Sequence, residues 1–289
     1  MITYYMNADS GDNGNDGSSG SPWLTPTYAI AQLSAGDELV AQDSTAHYAW
    51  LTSALTIADG CTIRGESADG SGAIFDGGGG TTYPLRTTTA NGYTIENVTF
   101  TALKNSDDKG CFSLYSTTVA SAVAFTNCVF DACQVWVGGS GYGGMWANRQ
   151  GGLGSYTITG CLIKNCYSPS GASGTYASFR DGIVEFNFYN TTIYSVATGA
   201  GFVSSFFSHY LTTMSGNIKN NIFYNGTGSS VALCSWTPTA YAANCAYTNF
   251  TNIPSGTGNI TSDPLFVDAP GGNFELQGSS PCIGTGVII

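Results

Sequence analysis

The chain has 289 residues, of which 42% are hydrophobic and only 9% charged, with 39 glycines, 17 tyrosines and 15 phenylalanines. Nineteen acids against eight bases leave a formal charge of −11, which excludes duplex nucleic acid as a partner and disfavours any long polyanion, since little here would replace counterions. Few charges beside many glycines and β-formers favour short strands and tight corners over amphipathic helices, and no segment reaches the roughly 20 apolar residues of a membrane span.

In chain order, "MITYYMNADSGDNG" predicts an extended strand followed by a Gly/Asn/Asp loop. It lacks the basic start and apolar stretch of a secretory signal. The expectation is a protein that leaves its cell by another route, such as release in a virus particle, or one whose signal was removed. Asp9, Asp12 and Asp16 give the loop the oxygen density of a calcium site, without the spacing or closing glutamate of a calcium loop. Side chains that turn the loop on its own backbone are the alternative. No other cofactor is implied. Thr25 as N-cap and Pro26 at the first helical position predict one short helix over residues 26–33, with Tyr28, Ile30 and Leu33 covering the open end of the apolar interior.

A repeated corner then organises the chain. Aligning "TIENVTF", "AFTNCVF", "TITGCLI", "NFYNTTI" and "NIKNNIF" puts anchors at Asn97, Asn127, Gly160, Asn190 and Asn220, and "ANCAY" extends the series to Asn244. A repeat near 30 residues with alternating apolar positions and no helical stripe indicates a solenoid. The units lack the aromatic-Asp motif of propeller blades, which leaves a parallel β-helix of about three short strands per turn, stacked ~4.8 Å apart. Asn suits the anchor, because it tolerates left-handed backbone and its amide can bond to the next turn.

Nine cysteines cannot all pair within one chain. The register places Cys128 against Cys161 and Cys133 against Cys166, with Val98 and Leu103 one turn earlier and Thr191 and Val196 one turn later. Such columns read as small side chains stacked in a core rather than as disulfides or metal ligands. Fourteen residues before four anchors stand Tyr83, Trp146, Tyr176 and Phe206, and a few residues after these stand Arg86, Arg149, Arg180 and His209. An aromatic column beside a cationic one suits a sugar ring, with guanidinium forks for hydroxyls or carboxylates. Alternation offers the opposite assignment, with the aromatics in the core. Arg149, Arg180, Asp181, Glu185 and His209 are also candidates for an acid/base group on adjacent turns; a glycosidase would need two carboxylates there.

Three longer segments carry a resemblance. "YYMNADSGDNGNDGSSGSPWLTPTYAIAQLSAGDELV", "LTIADGCTIRGESADGSGAIFDGGG" and "DPLFVDAPGGNFELQGSSPCIGTG" resemble the opening, first full turn and closing segment of right-handed parallel β-helix proteins of the pectate-lyase-like superfamily. Gly284 stands where the closing motif usually has aspartate. The resemblance implies an all-β solenoid in one domain, 1–289, with a cap over 1–45, coils over 46–260 and a second cap over 261–289. Its members include lyases, hydrolases, esterases, adhesins and viral spikes. The Gly-His-Gly motif of the hydrolases and the esterase motifs are absent. The acid-plus-base pattern of the lyases has its nearest counterpart in "KNSDDKG", residues 104–110, which reads more simply as a solvated loop. The expectation is therefore a surface-displayed structural or adhesion β-helix, such as a viral fibre, spike or head-decoration protein. It would engage a glycan or a neighbouring virion protein, without membrane insertion, and as a homo-oligomer or alone. A secreted polysaccharide lyase or glycoside hydrolase is the alternative.

Overall fold

The computed structural model describes residues 1–51, 53–78, 84–104, 110–114, 119–134, 145–148, 153–167, 174–196 and 203–289, with backbone alone at 148, 174, 180, 181, 183, 203, 204 and 209–212. The chain winds as a right-handed parallel β-helix with three faces. The first face stacks Glu38–Ala41, Cys61–Gly65, Tyr93–Glu96, Ser121–Thr126, Gly154–Thr159, the end of Gly174–Tyr189, Asn217–Lys219 and Ala240–Ala242, with Thr3–Met6 added at its head. The second is an eight-stranded sheet running from Tyr48–Ala49 to Cys245–Tyr247. The third stacks Leu55–Thr56, Leu85–Thr87, Phe112–Leu114, Trp146–Asn148, the start of Gly174–Tyr189, Val203–Ser215, Val231–Cys234 and Phe250–Thr251. A single antiparallel pair among the described strands, Phe266–Asp268 with Asn273–Leu276, lies near the C-terminus.

Strict alternation fills the interior. On the second face Phe75, Phe100, Phe130, Ile163, Ile193 and Phe223 align turn upon turn and point inward, with no exposed surface. Phe75, Phe100 and Phe130 stack at 5.5 and 5.3 Å. Each such ring removes apolar surface from water on both sides of its own turn, so each coil depends on its neighbours for burial.

The corner anchors behave as their sequence implies. Asn97, Asn127, Gly160, Asn190 and Asn220 all have φ between 49° and 65°, where Asn and Gly are the tolerated residues. Asn127 Nδ2 donates to Asn97 Oδ1 at 3.4 Å. The last member of the series requires correction. Lys219 pairs with Ala242, so Ala243 (φ 54°), not Asn244, continues the anchor column. The final coil is shorter, and Asn244 aligns instead beneath Asn221 in the adjacent inward column.

That adjacent column runs Val98, Cys128, Cys161, Thr191, Asn221, Asn244, Asn259. From Cys161 on, each member accepts the backbone N–H of the member one turn before: Cys128 N–H to Cys161 Sγ (3.4 Å), Cys161 N–H to Thr191 Oγ1 (3.1 Å), Thr191 N–H to Asn221 Oδ1 (2.9 Å), Asn221 N–H to Asn244 Oδ1 (3.1 Å) and Asn244 N–H to Asn259 Oδ1 (3.1 Å). The corner breaks the sheet ladder, and a side chain from the next turn satisfies the buried N–H left over. Cys133 and Cys166 stack similarly at the next corner, where Gln134 is bridged to Tyr167. All four thiols are free and buried.

The N-terminal helix spans Pro26–Gln32, one residue shorter than expected, because Leu33 turns to extended backbone while its N–H still reaches Ile30 O. Thr25 Oγ1 accepts the Tyr28 N–H, and Ile30 and Leu33 are buried against the first coils with Tyr28 partly so. Carboxylates tie this cap down. Buried Asp37 accepts the Ile2 N–H at 2.8 Å and the Ser34 N–H at 2.9 Å, and Glu38 Oε1 pairs with Arg64 Nε at 2.6 Å.

Candidate functional site

The outward aromatic strip expected from the sequence does not form. Trp146, Tyr176 and Phe206 are each fully buried. Trp146 packs edge-on against Phe130 (5.1 Å) and Phe125 (5.9 Å), and Tyr176 against Phe206 (5.0 Å). Nor do Trp146 and Tyr176 share a column, because Trp146 pairs with Phe112 before it and Ala177 after it. The cationic column dissolves for the same reason. Arg86, half-buried, stands in a row that runs from Thr56 on through Ser113, Ala147, Ser178 and Ser208, whereas Arg180 pairs by backbone with Tyr210 and His209 with Phe179. Tyr83 and Arg149 lie outside the described residues, as does most of "KNSDDKG", and only the backbone of Arg180, Asp181 and His209 is described. Among the acid/base candidates, Glu185 alone has a described side chain.

Glu185 stands in a cleft. Ala122, Ser155, Glu185 and Ser215 form an outward row where the third face turns into the first. With Ser121, Leu153 and Gly154 they line a cavity of about 390 Å³. Gly154 sets its depth: at φ 145° a Cβ there would lie 2.0 Å from Ser121 O, so only glycine lets the two strands meet this closely. Ser121 is 2% exposed, and its Oγ has no hydrogen-bond partner among the described residues. Ser121 alternates with outward Ala122 and aligns with Gly154 and Val184, so its hydroxyl belongs to the inward row, where an unpaired hydroxyl is costly.

Beyond the row, an amide network holds the carboxylate. Glu185 Oε1 accepts from Asn187 Nδ2 at 3.0 Å. Asn187 Oδ1 in turn accepts from Tyr189 Oη (3.1 Å), Asn217 N (3.1 Å) and Asn217 Nδ2 (3.0 Å). Partial burial, offset in part by the Asn217 side chain and reinforced by the charge of Glu185, raises the Tyr189 phenol, keeping it a donor. The surface is therefore a carboxylate, hydroxyls and amides in fixed orientation, suited to the hydroxyl groups of a ligand.

The aspartates of the N-terminal loop do not converge. Asp9 accepts the Thr45 and Ala46 N–H groups at 2.6 and 2.9 Å, Asp12 the Gly14 N–H at 2.7 Å and Asp16 the Ser18 N–H at 3.0 Å. Backbone donors hold the Asp9 and Asp16 carboxyls below the usual range. Asp12 and Asp16 shape their own turns, as in the self-bonded loop that the sequence allowed, whereas Asp9 ties the loop to Thr45 and Ala46.

Ser121, Ser155, Ser215, Asn187 and Asn217 were not singled out by the sequence. The signal was present: Ala122, Ser155, Glu185 and Ser215 stand five residues before four successive anchors, and Ala124, Thr157, Asn187 and Asn217 three residues before them. Small polar residues at these offsets are common on any solvent face, so their spacing alone did not distinguish a cleft.

The sequence matches no family model and no curated protein. Among solved structures, the chain is similar to a rhamnogalacturonan lyase (11% identity, TM-score 0.43, covering 92% of this chain and 91% of that one). It is similar to a pectate lyase at the same identity and TM-score, covering 100% and 92%. A third is a mannuronic acid specific polysaccharide family 6 lyase from human gut microbiota (12%, TM-score 0.43, covering 89% and 67%). The strand pairing by itself shows the architecture, a parallel β-helix.

Proposed function

We propose that the protein is a β-helix that binds a neutral glycan along its first face, with the Ser121/Ser155/Glu185/Ser215 cleft as the central subsite. The observation that carries this reading is the open cleft lined by the outward row Ser155, Glu185 and Ser215, with the Glu185 carboxylate oriented by Asn187. The formal charge of −11 favours a neutral chain over a polyuronate, which Glu185 would repel. Rows of hydroxyls and amides repeating about every 4.8 Å suit an extended oligosaccharide lying across several turns. Display outside the cell or on a virion, as in a fibre or adhesin, is the setting we propose for such a module.

Affinity electrophoresis in gels containing a neutral polysaccharide or a polyuronate tests this reading. Retardation by the neutral polymer, abolished in Ser155→Trp with unchanged circular dichroism and reduced in Glu185→Ala, is expected. Equal mobility of all three proteins in every gel overturns it. Release of unsaturated oligosaccharides would replace it with the lyase reading.

A further inference from the structure

A second feature lies at the other end of the molecule. Cys245 begins the last strand of the second face, aligned with Ile222 on the outward row, yet it is only 2% exposed because the C-terminal tail folds back over it. The tail is held there by side chains bonded to main-chain groups. Asn220 Nδ2 donates to Val287 O and accepts the Val287 N–H at Oδ1, both at 2.8 Å, and Ser280 Oγ donates to Pro264 O at 2.6 Å. This places Cys282 against Cys245, both lining one cavity of about 160 Å³ with Ile222, Ile260, Leu276 and Thr285. Both thiols are free; Cys245 donates its S–H to Ser262 O at 3.3 Å, and Cys282 is half-buried beside it.

We propose that Cys245 and Cys282 are a covalent modification site, closed by exchange with a small-molecule disulfide into a staple that locks the C-terminal cap onto the last coil. The Cys282 thiolate attacks one sulfur of the small disulfide, forming a mixed disulfide and releasing one thiolate. Cys245 then loses its proton and attacks Cys282 Sγ, closing the Cys245–Cys282 bond and expelling the second thiolate. The two protein protons end on the two small thiols, and two electrons pass from the cysteines to the reagent. The neighbouring Cys245 thiol lowers Cys282 to about 7, which suits it to the first attack, while the neighbouring Cys282 and burial push Cys245 up. The stacked pairs, by contrast, sit at the corners between strands with no half-exposed member: Cys128, Cys133 and Cys166 have no exposed surface and Cys161 only 3%.

The bond would close a loop of roughly forty residues, for which a rise of about 5–10 °C in Tm is expected. The full chain, reduced and then treated with oxidised glutathione, is read by intact mass, peptide mapping and melting. The expected result is loss of two hydrogens without retained glutathione, a cross-link joining the Cys245 and Cys282 peptides, and the higher Tm. Cys245→Ser should instead retain one glutathione on Cys282, and Cys282→Ser should remain unmodified. A natively folded protein with these peptides unlinked, a cross-link at Cys128–Cys161 or Cys133–Cys166 instead, or an unchanged Tm after cross-linking overturns the proposal.

Discussion

The inward corner column differs between its two halves. Upstream it is made of thiols, Cys128 and Cys161; downstream it is made of amides, Asn221 and Asn244, with Thr191 between. Yet both halves serve the same backbone groups. Cys161 accepts the Cys128 N–H. The S–H groups of Cys128 and Cys161 are shared between Thr126 O (3.4 Å) and Thr159 O (3.5 Å) on their own turns and Ile95 O (3.5 Å) and Phe125 O (3.8 Å) on the previous ones. Asn221 and Asn244 direct Nδ2 at Phe188 O and Ile218 O, both at 2.8 Å. Ile95, Phe125, Phe188 and Ile218 belong to one aligned inward row. The corner thus requires a small side chain that both donates and accepts, and thiol or amide meets the requirement. Burial, then the neighbouring Cys161, pushes the Cys128 thiol well above its ordinary value, so it keeps the proton it donates. The difference lies in bond strength: the amide contacts are short N–H···O bonds, the sulfur contacts long and weak.

Four measurements break or sharpen this comparison, beginning with what the two halves share. Trp146→Ala, within the buried aromatic interior, should lose about 3–5 kcal/mol in urea unfolding. A near-neutral result would mean that the aromatics do not sustain the stack on which both columns rest. Asn221→Leu keeps the volume but strands the buried Thr191 N–H and Phe188 carbonyl, and should cost about 2–4 kcal/mol. Cys161→Ala removes weaker bonds and a small volume, and should cost about 1–2 kcal/mol. If it costs as much as Asn221→Leu, the two halves are not distinguished by bond strength.

The smallest effect concerns acid. Backbone N–H donors from Ile2, then Ser34, hold the Asp37 carboxyl below its ordinary 3.8. Its folded value is depressed, so its stabilising contribution is fully present above the unfolded value and is lost as pH falls below it. Hydrogen exchange at Ile2 and Ser34 should therefore accelerate below about pH 4 in the wild type, and already at neutral pH in Asp37→Asn. Exchange that is flat across that range would remove Asp37 as the tie of the cap.

Legibility in the sequence followed the strands. Counting five or three residues back from Asn127, Gly160 and Asn190 stays within one strand, and from Asn220 it crosses only Gly216, so those rows align in the structure as in the sequence. Counting fourteen back from the last three of these anchors crosses a face change. Trp146, Tyr176 and Phe206 then appear as one column, although Trp146 in fact pairs with Ala177.

By itself, the sequence determined the stack: the periodic anchors need left-handed backbone, the alternation sorts inside from outside, and Val98, Cys128, Cys161 and Thr191 fall in register. Tertiary structure alone decided that Trp146, Tyr176 and Phe206 face inward, that Gly154 opens a cleft around Glu185, and that the tail brings Cys282 to Cys245. The physical reason is that register passes through unbroken strand pairing, whereas connections of unequal length absorb offsets and join groups far apart in the chain.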